Sequence, residues 1–340
     1  MKLILHEVNV PLRHGFTTSH GTLEMKRNLL VELQDGELSG WGEASPSLAY
    51  PAITVETIRA ALEAQRSRIE SFAWHQPSAF WAMLDPWLRH NRFAQCALDQ
   101  AAHDLWGKRL GKPVWELWGL KLDQLPVSNY TIGIDTVERM AEKLIEFSDW
   151  PIFKIKLGTK QDVEIVRELR SHTQAVFRVD ANTGWSVEQT LEFAPQLNEL
   201  GVEFIEQPLP ADDWDGMHRL MEECPLPLIA DESCQTESDI DRCVGHFHGV
   251  NVKLSKAGGL TPARRMLLRA KSLGLKTMAG CMIETTVGIS AQAQLLPLLD
   301  VVDLDGSVLL AENIADGVIV ERGVATFPST AGTGVGQVRC

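Results

Sequence analysis

From about residue 126 the chain keeps one rhythm, and that rhythm constrains its fold more than any other feature. Short β-rich runs recur: "VSNYTIGI", "FKIKLG", "VFRVDAN", "VEFIEQP", "PLIADES", "GVNVKLS", "LKTMAG" and "VVDLDG". Their centres lie roughly 22 to 26 residues apart, the length of one strand plus one crossover helix. Amphipathic segments such as "TVERMAEKLIEF" and "TPARRMLLRAKSLG" fill the intervals. Eight strands in βα alternation predict a parallel sheet, and the natural closure is a (β/α)7β TIM-like barrel. A doubly wound open sheet is the alternative. It is disfavoured because no GxGxxG or phosphate-loop motif opens any of these units.

The first 125 residues read as an α+β capping domain. "RNLLVELQDGELSGWGEA" predicts a hairpin turning at Asp35-Gly36, and "ITVETIRAALEAQRSRIESF" and "RFAQCALDQAAHDLWGKRLG" predict helices, the second stopped by its glycine. After the barrel (126–310) the tail 311–340 has hairpin character and is expected to return to the capping domain.

Active sites of such barrels lie at the carboxyl ends of the strands. The third strand ends in Asp180, the fourth in Glu206 and the fifth in Asp231. Three carboxylates converging on one mouth repel each other unless a hard cation sits between them, and an all-oxygen ligand set suits Mg2+. Each acid taken singly also reads as a solvated loop residue or a helix cap. The second strand carries Lys154 and Lys156 on one face, and the sixth carries Lys253. In an eight-stranded ring these strands stand opposite one another. Lys156 and Lys253 would approach a central ligand from two sides, which suits taking a proton from one face of a carbon and returning it to the other. The alternative is that the lysines serve as structural partners of the acids. The eighth strand carries Asp303 and Asp305, two like charges on one face of an apolar run, and they call for a cation.

A net charge of −13 excludes nucleic acid as the main partner. The apolar run in "MKLILHEVNV" is too short for a signal-peptide core, no segment has the length of a membrane span, and none of the six cysteines forms a CxxC pair. Together these set the expectation of a cytoplasmic protein with reduced thiols, assembled as a homo-oligomer by the common default. The alternating His246 and His248 precede the sixth strand and are expected away from the active-site face, and Glu232 beside Asp231 is expected to point away from the metal.

"KIK", "RVDAN", "FIEQP", "ADES" and "NVKLSKAGG", in this order and at barrel spacing, resemble the muconate-lactonizing subgroup of the enolase superfamily. The likeness extends to "GWGEASP" and "ALDQAAHDLWGK" in the capping region. It implies Mg2+ held by Asp180, Glu206 and Asp231, Lys156 and Lys253 as the acid/base pair, Lys154 near a substrate carboxylate, and Asn182 behind the metal ligands. The implied chemistry removes the proton α to a carboxylate through a metal-stabilised enediolate. Within the subgroup, "VVDLDG" resembles the Asp-x-Asp with which dipeptide epimerases hold the substrate's α-ammonium. The resemblance therefore implies a small-molecule dipeptide substrate, inverted at the α-carbon of its C-terminal residue by two-base 1,1-proton transfer. Muconate cycloisomerase, o-succinylbenzoate synthase and N-acyl amino acid racemase act on substrates without an ammonium, which an Asp pair does not favour, and a non-catalytic barrel has no use for both lysines. In the family the capping loop, here "GFTTSHGTLEMKRN", closes over the substrate side chain, and it places His20 where relatives specific for Ala-Glu carry an Arg. That change, with Met282 and Ile283 after the seventh strand, predicts broad acceptance of dipeptides with an apolar second residue.

Overall fold

The computed structural model describes residues 1–18 and 21–340. The capping region starts with an antiparallel meander of β1 (Lys2–Thr18), β2 (Gly21–Asp35) and β3 (Leu38–Ala44). Asp35 pairs with Leu38, so the β2–β3 turn is Gly36-Glu37, one residue later than expected, with Gly36 in the left-handed region at φ 62°. Four helices follow: α1 (Val55–Ala64), α2 (Arg66–Ser71), α3 (Pro77–Leu88) and α4 (Arg92–Leu110). The expected single helix over 53–72 is two, broken at Gln65 (φ −108°, ψ 5°). Asn91 caps α4 through the Ala94 amide, and Gly111 ends it at φ 65°. α4 lies directly on β3. A Cβ at Gly40 or Gly42 would collide with the Ala101 or Ala97 carbonyl, which is why "GWG" flanks its tryptophan with glycines.

The barrel strands are β4 (Tyr130–Ile132), β5 (Ile152–Lys156), β6 (Val176–Asp180), β7 (Val202–Glu206), β8 (Leu228–Ala230), β9 (Gly249–Asn251), β10 (Lys276–Ala279) and β11 (Val301–Val302). Each pairs in parallel with the next, in sequence order. Outside them lie α5 (Val114–Leu117), α6 (Val137–Glu146), α7 (Asp162–His172), α8 (Val187–Glu199), α9 (Trp214–Glu223), α10 (Ile240–Cys243), α11 (Leu254–Ala257), α12 (Leu260–Ser272) and α13 (Thr286–Ala293). The strand interiors and the inner helix faces form one apolar core, which runs through Phe153, Phe177, Ile205 and Val250. A single parallel bridge, Ser128 to Val302, closes the ring between its first and eighth strands.

The tail forms a hairpin, β12 (Ile319–Glu321) and β13 (Val324–Thr326), turning through Arg322 and Gly323 at φ 50° and 80°. Thr333 donates its amide and hydroxyl to Asp104 of α4, at 2.8 and 3.0 Å. Two further capping-region acids reach into the barrel. Asp99 accepts the amide and hydroxyl of Thr261 at the start of α12, at 2.7 and 2.8 Å. Glu43 does the same for Thr285 at the start of α13. A helix N-terminus leaves amides without partners, and a carboxylate supplied from another region satisfies them. The "GWGEA" and "ALDQAAHD" motifs thus lock the cap onto the active-site face. Among the described residues no helix is long and apolar enough to cross a membrane.

Candidate active site

Asp180 ends β6, Glu206 ends β7 in register with it, and Asp231 follows β8. All three are buried, and one ligand oxygen from each lies within 4.8 Å of the other two. Neighbouring groups fix their orientation. The Asn182 amide donates to Asp180 Oδ1 at 2.9 Å, and Asn251 Nδ2 donates to Glu206 Oε1 at 2.9 Å. Gln207 Oε1 accepts the amides of Asp231 and Ser233 at 3.0 and 3.1 Å. Asn182 and Gln207 stand at φ 43° and 34°, left-handed backbone that is costly for such residues and clusters at functional sites.

Four lysines meet these acids. Lys156 Nζ donates to Asp180 Oδ2 at 2.6 Å, and Lys253 Nζ donates to Asp231 Oδ2 at 2.8 Å. Lys256 Nζ, wholly enclosed, donates to the other Asp231 oxygen and to the Asp231 and Cys234 carbonyls. Lys154 Nζ lies 2.8 Å from Glu206 Oε2 and 3.2 Å from Asp180 Oδ2. Burial opposes ionisation of Asp180, but Lys156 and Lys154 outweigh it and hold the carboxyl below its usual range. Asp231 is held low against the same penalty by Lys253 and Lys256. Glu206 is pushed up to about 7, by burial first and then by Asp180. Its Oε2 touches Lys154 without hydrogen-bond alignment, so a buried oxygen keeps a free lone pair beside two other carboxylates. That donor set fits Mg2+.

On the other side of the Lys154 ammonium stand Asp303 and Asp305. β11 has only two residues, so both acids lie beyond the strand rather than inside it. There they do the ladder's work. Asp305 Oδ2 accepts the Thr131 amide at 2.5 Å, Asp303 Oδ1 accepts Asn129 Nδ2 at 2.9 Å, and the Leu304 amide donates to Ser128 Oγ at 2.8 Å. The pair is therefore also the side-chain seam that closes the barrel. Lys154 donates to Asp303 Oδ2 at 3.1 Å, so the protein supplies part of the cation that the sequence calls for. Burial works against Asp303's charge, but Lys154 prevails and holds it low. Asp305 is driven well above its ordinary value by burial and then by the charge of Asp303. Among the described residues Lys154, expected near a substrate carboxylate, is the one cation in ion-pair contact with both acid groups.

Several of these groups line one cleft of about 840 Å3, counting its open mouth, with Asp180 and Glu206 set behind its wall. Lys154, Lys156, Lys253, Asn182, Asp231, Asp303 and Asp305 line its polar side, and Phe16, Leu23, Leu48, Met282 and Ile283 line its apolar side. His20, the expected gate residue, lies outside the described residues. Glu232 corrects the sequence reading: it lines the cleft beside Asn182, with Nδ2 to Oε1 at 3.5 Å, because β8 ends at Ala230 and strand alternation no longer governs residue 232. His248 accepts the Leu228 amide where β8 and β9 begin, at the far end of the barrel as expected. Sequence reasoning passed over Lys256, Gln207, Asn251 and Cys281. Lys256 left a signal: three residues after Lys253 across a helical turn, it falls on the same side of the chain.

Two family models match the chain: "Mandelate racemase / muconate lactonizing enzyme, N-terminal domain" over residues 1–119 and "Enolase C-terminal domain-like" over 136–337. The L-Ala-D/L-amino acid epimerase of Flavobacterium johnsoniae is 52% identical over 335 residues, covering 98% of this chain and 99% of that protein. The substrate-liganded L-Ala-D/L-Glu epimerase of Bacillus subtilis superposes with a TM-score of 0.95 at 25% identity, over 100% of both chains. The dipeptide epimerase of Cytophaga hutchinsonii, complexed with Mg and D-Ala-L-Val, gives 0.93 at 26%, over 98% of this chain and 95% of that one. Matched by both family models and by a relative 52% identical over nearly its whole length, the chain belongs to the mandelate racemase/muconate lactonizing family of the enolase superfamily.

Proposed function

We propose that this chain is a Mg2+-dependent dipeptide epimerase that inverts the α-carbon of the C-terminal residue by two-base proton transfer. The observation that carries the reading is the placement of Lys156 and Lys253. Each lines the same cleft and each is bonded to a different acid of the trio, Lys156 to Asp180 and Lys253 to Asp231. Residues 126–310 supply the barrel, and residues 1–125 with the tail 311–340 cap it.

In this reading Asp180, Glu206 and Asp231 hold Mg2+, which supplies fixed positive charge where the substrate carboxylate gains negative charge. Lys156 Nζ and Lys253 Nζ stand on the two sides of the α-carbon. One takes the proton, the other returns one to the opposite face, and the roles exchange with the substrate's configuration. Asp303 and Asp305 hold the α-ammonium by charge-assisted hydrogen bonds and set the register of the peptide. Asn182 fixes Asp180, and Lys154 balances charge between the two acid groups. His20 belongs to the loop over the substrate side chain.

The test is incubation of the Mg2+-loaded protein with L-Ala-L-Leu in D2O. Deuterium should appear at the leucine α-carbon together with L-Ala-D-Leu. Absence of exchange across a panel of L,L-dipeptides would sink the reading.

A further inference from the structure

Glu43 lies in the capping region and is absent from the chemistry above, yet it is buried and fully bonded. Its carboxylate accepts the Thr285 amide at 3.0 Å, the Thr285 hydroxyl at 2.7 Å, the Gly288 amide at 2.9 Å and Asn28 Nδ2 at 2.7 Å. Three of these donors belong to the barrel, at the first turn of α13. Two more capping residues reach the same segment: Asn28 Nδ2 and Ser45 Oγ each donate to the Ile283 carbonyl at 3.1 Å.

The segment so held is the link from β10 to α13. Its earlier residues, Cys281, Met282 and Ile283, form part of the cleft wall. Its other side is fixed as well: a Cβ at Gly306, next to Asp305, would stand 2.8 Å from the Met282 carbonyl and 2.9 Å from the Glu284 amide. The link is thus sandwiched between the cap and the turn that follows the Asp pair. Interiors transmit strain because they are close-packed, so the anchoring of residues 283–288 sets where Met282 and Ile283 stand.

A carboxylate suits this task and an amide does not. At Glu43 both oxygens accept, and every neighbour within bonding distance is a donor. An isosteric glutamine would turn an NH2 toward donors on Thr285 and Gly288 or on Asn28, which leaves buried polar groups unpaired.

We infer that Glu43 is a positioning residue for substrate recognition: reaching across from the capping region, its carboxylate fixes the link 281–285 and with it the Met282–Ile283 wall that meets the dipeptide's C-terminal side chain. The inference rests on the dipeptide-epimerase reading for the identity of the substrate, but not for the fixing of the link.

Two measurements on Mg2+-loaded Glu43→Gln test it. Amide hydrogen exchange over residues 281–289 should speed up by about tenfold or more, while exchange in the strands at the far side of the barrel stays as in the wild type. KM for L-Ala-L-Leu should rise by about tenfold with kcat falling less than about threefold, and KM for L-Ala-L-Ala, whose second side chain is a methyl group, should change less. Unchanged exchange over 281–289, or an equal loss for both dipeptides, overturns the inference. Should Glu43→Gln not fold, Ser45→Ala removes the bond to the Ile283 carbonyl, and Thr285→Val removes the hydroxyl bond to Glu43 together with the cap on the Val287 amide; the same split at smaller size is required, and its absence in both variants overturns the proposal. A wild type inert toward every dipeptide defeats the functional reading alone, and the exchange measurement still decides whether Glu43 fixes the link.

Discussion

The two acid groups beside this cleft are built from the same residue types and differ in how they are paired, although each holds one acid raised above its ordinary value, Glu206 in the first and Asp305 in the second. Asp180, Glu206 and Asp231 are surrounded by four lysines, and two of the three acids are held firmly ionised. Asp303 and Asp305 share one lysine, and it contacts only Asp303. Asp305 is driven well above its ordinary value, by burial first and then by the charge of Asp303. Carboxylates held beside fixed cations stay ionised, so their oxygens are ready as ligands. A pair short of cation has an appetite for one, and a ligand that brings an ammonium satisfies it. By donor atoms alone either group could hold a metal ion, since Asp303 and Asp305 cluster with Cys281 as the trio clusters with itself, so the proposed division of roles rests on how each group is paired.

The largest effects should come from the first group. EDTA should abolish epimerisation and added Mg2+ should restore it. Asp231→Asn should lower kcat/KM by about 10^3-fold or more, because it removes both the metal's charge partner and the anchor of two buried lysines. Full activity in metal-free buffer would break the distinction between the groups. Next come the two lysines proposed as the acid/base pair. Lys156→Ala and Lys253→Ala should each cut turnover by about 10^2 to 10^4-fold, the range of general acid–base catalysis, in both directions of epimerisation. Each variant should retain α-proton exchange with solvent for one isomer only, read by NMR in D2O. Near-normal turnover in either variant would end the two-base scheme.

The second group should respond more mildly and in a way the first does not. Asp305 is raised in the free protein, so a bound ammonium pulls it back toward the carboxylate and a proton leaves. The sign follows from the shift: a group protonated before binding and ionised after it releases protons, and binding strengthens as pH rises toward its raised value. Calorimetry of dipeptide binding in two buffers of different ionisation enthalpy should show proton release in the wild type and less in Asp305→Asn. Equal release in both would remove Asp305 from the ammonium site.

How much of this was legible in the sequence depends on whether backbone periodicity or tertiary contact decides the matter. The βα rhythm marks the strand ends, so Lys156, Asp180 and Glu206, which end their strands, and Asp231 and Lys253, which follow theirs by one and two residues, could be named from spacing and motif. Further past a strand end, tertiary contact decides orientation: Glu232 faces the cleft against expectation, while Asp303 and Asp305 both line it as expected but from beyond a two-residue strand, where they replace ladder bonds. Gln207 and Asn251 were hidden for a related reason. Their work depends on a left-handed backbone at 207 and on neighbouring strands across the ring, neither of which leaves a periodic trace. The break at Gln65 arises similarly, since the sequence on both sides of it favours helix.

The smallest effect concerns the side chain of the second residue, where the contrast between paired and unpaired charge applies again. The wall offered to it is apolar: Phe16, Leu23, Leu48, Met282 and Ile283. One cation, Lys26, borders the cleft from β2, and a free lysine there would grip a glutamate side chain. It is not free. Lys26 is buried and donates to the Pro46 carbonyl. Burial draws its pKa down to about 8, against the pull of the neighbouring Glu284 and Glu43. An incoming carboxylate must compete with those buried acids and be desolvated too, so little discrimination is left to gain. Broad acceptance follows, with kcat/KM for L-Ala-L-Glu within about a hundredfold of that for L-Ala-L-Leu, a span of about 2.7 kcal/mol. Lys26→Met should change that ratio by less than about tenfold if the lysine is already engaged. A preference for Ala-Glu beyond a hundredfold, lost in Lys26→Met, would show that Lys26 leaves its internal partners for the substrate, and that this side of the cleft, like the Asp pair, awaits a charge.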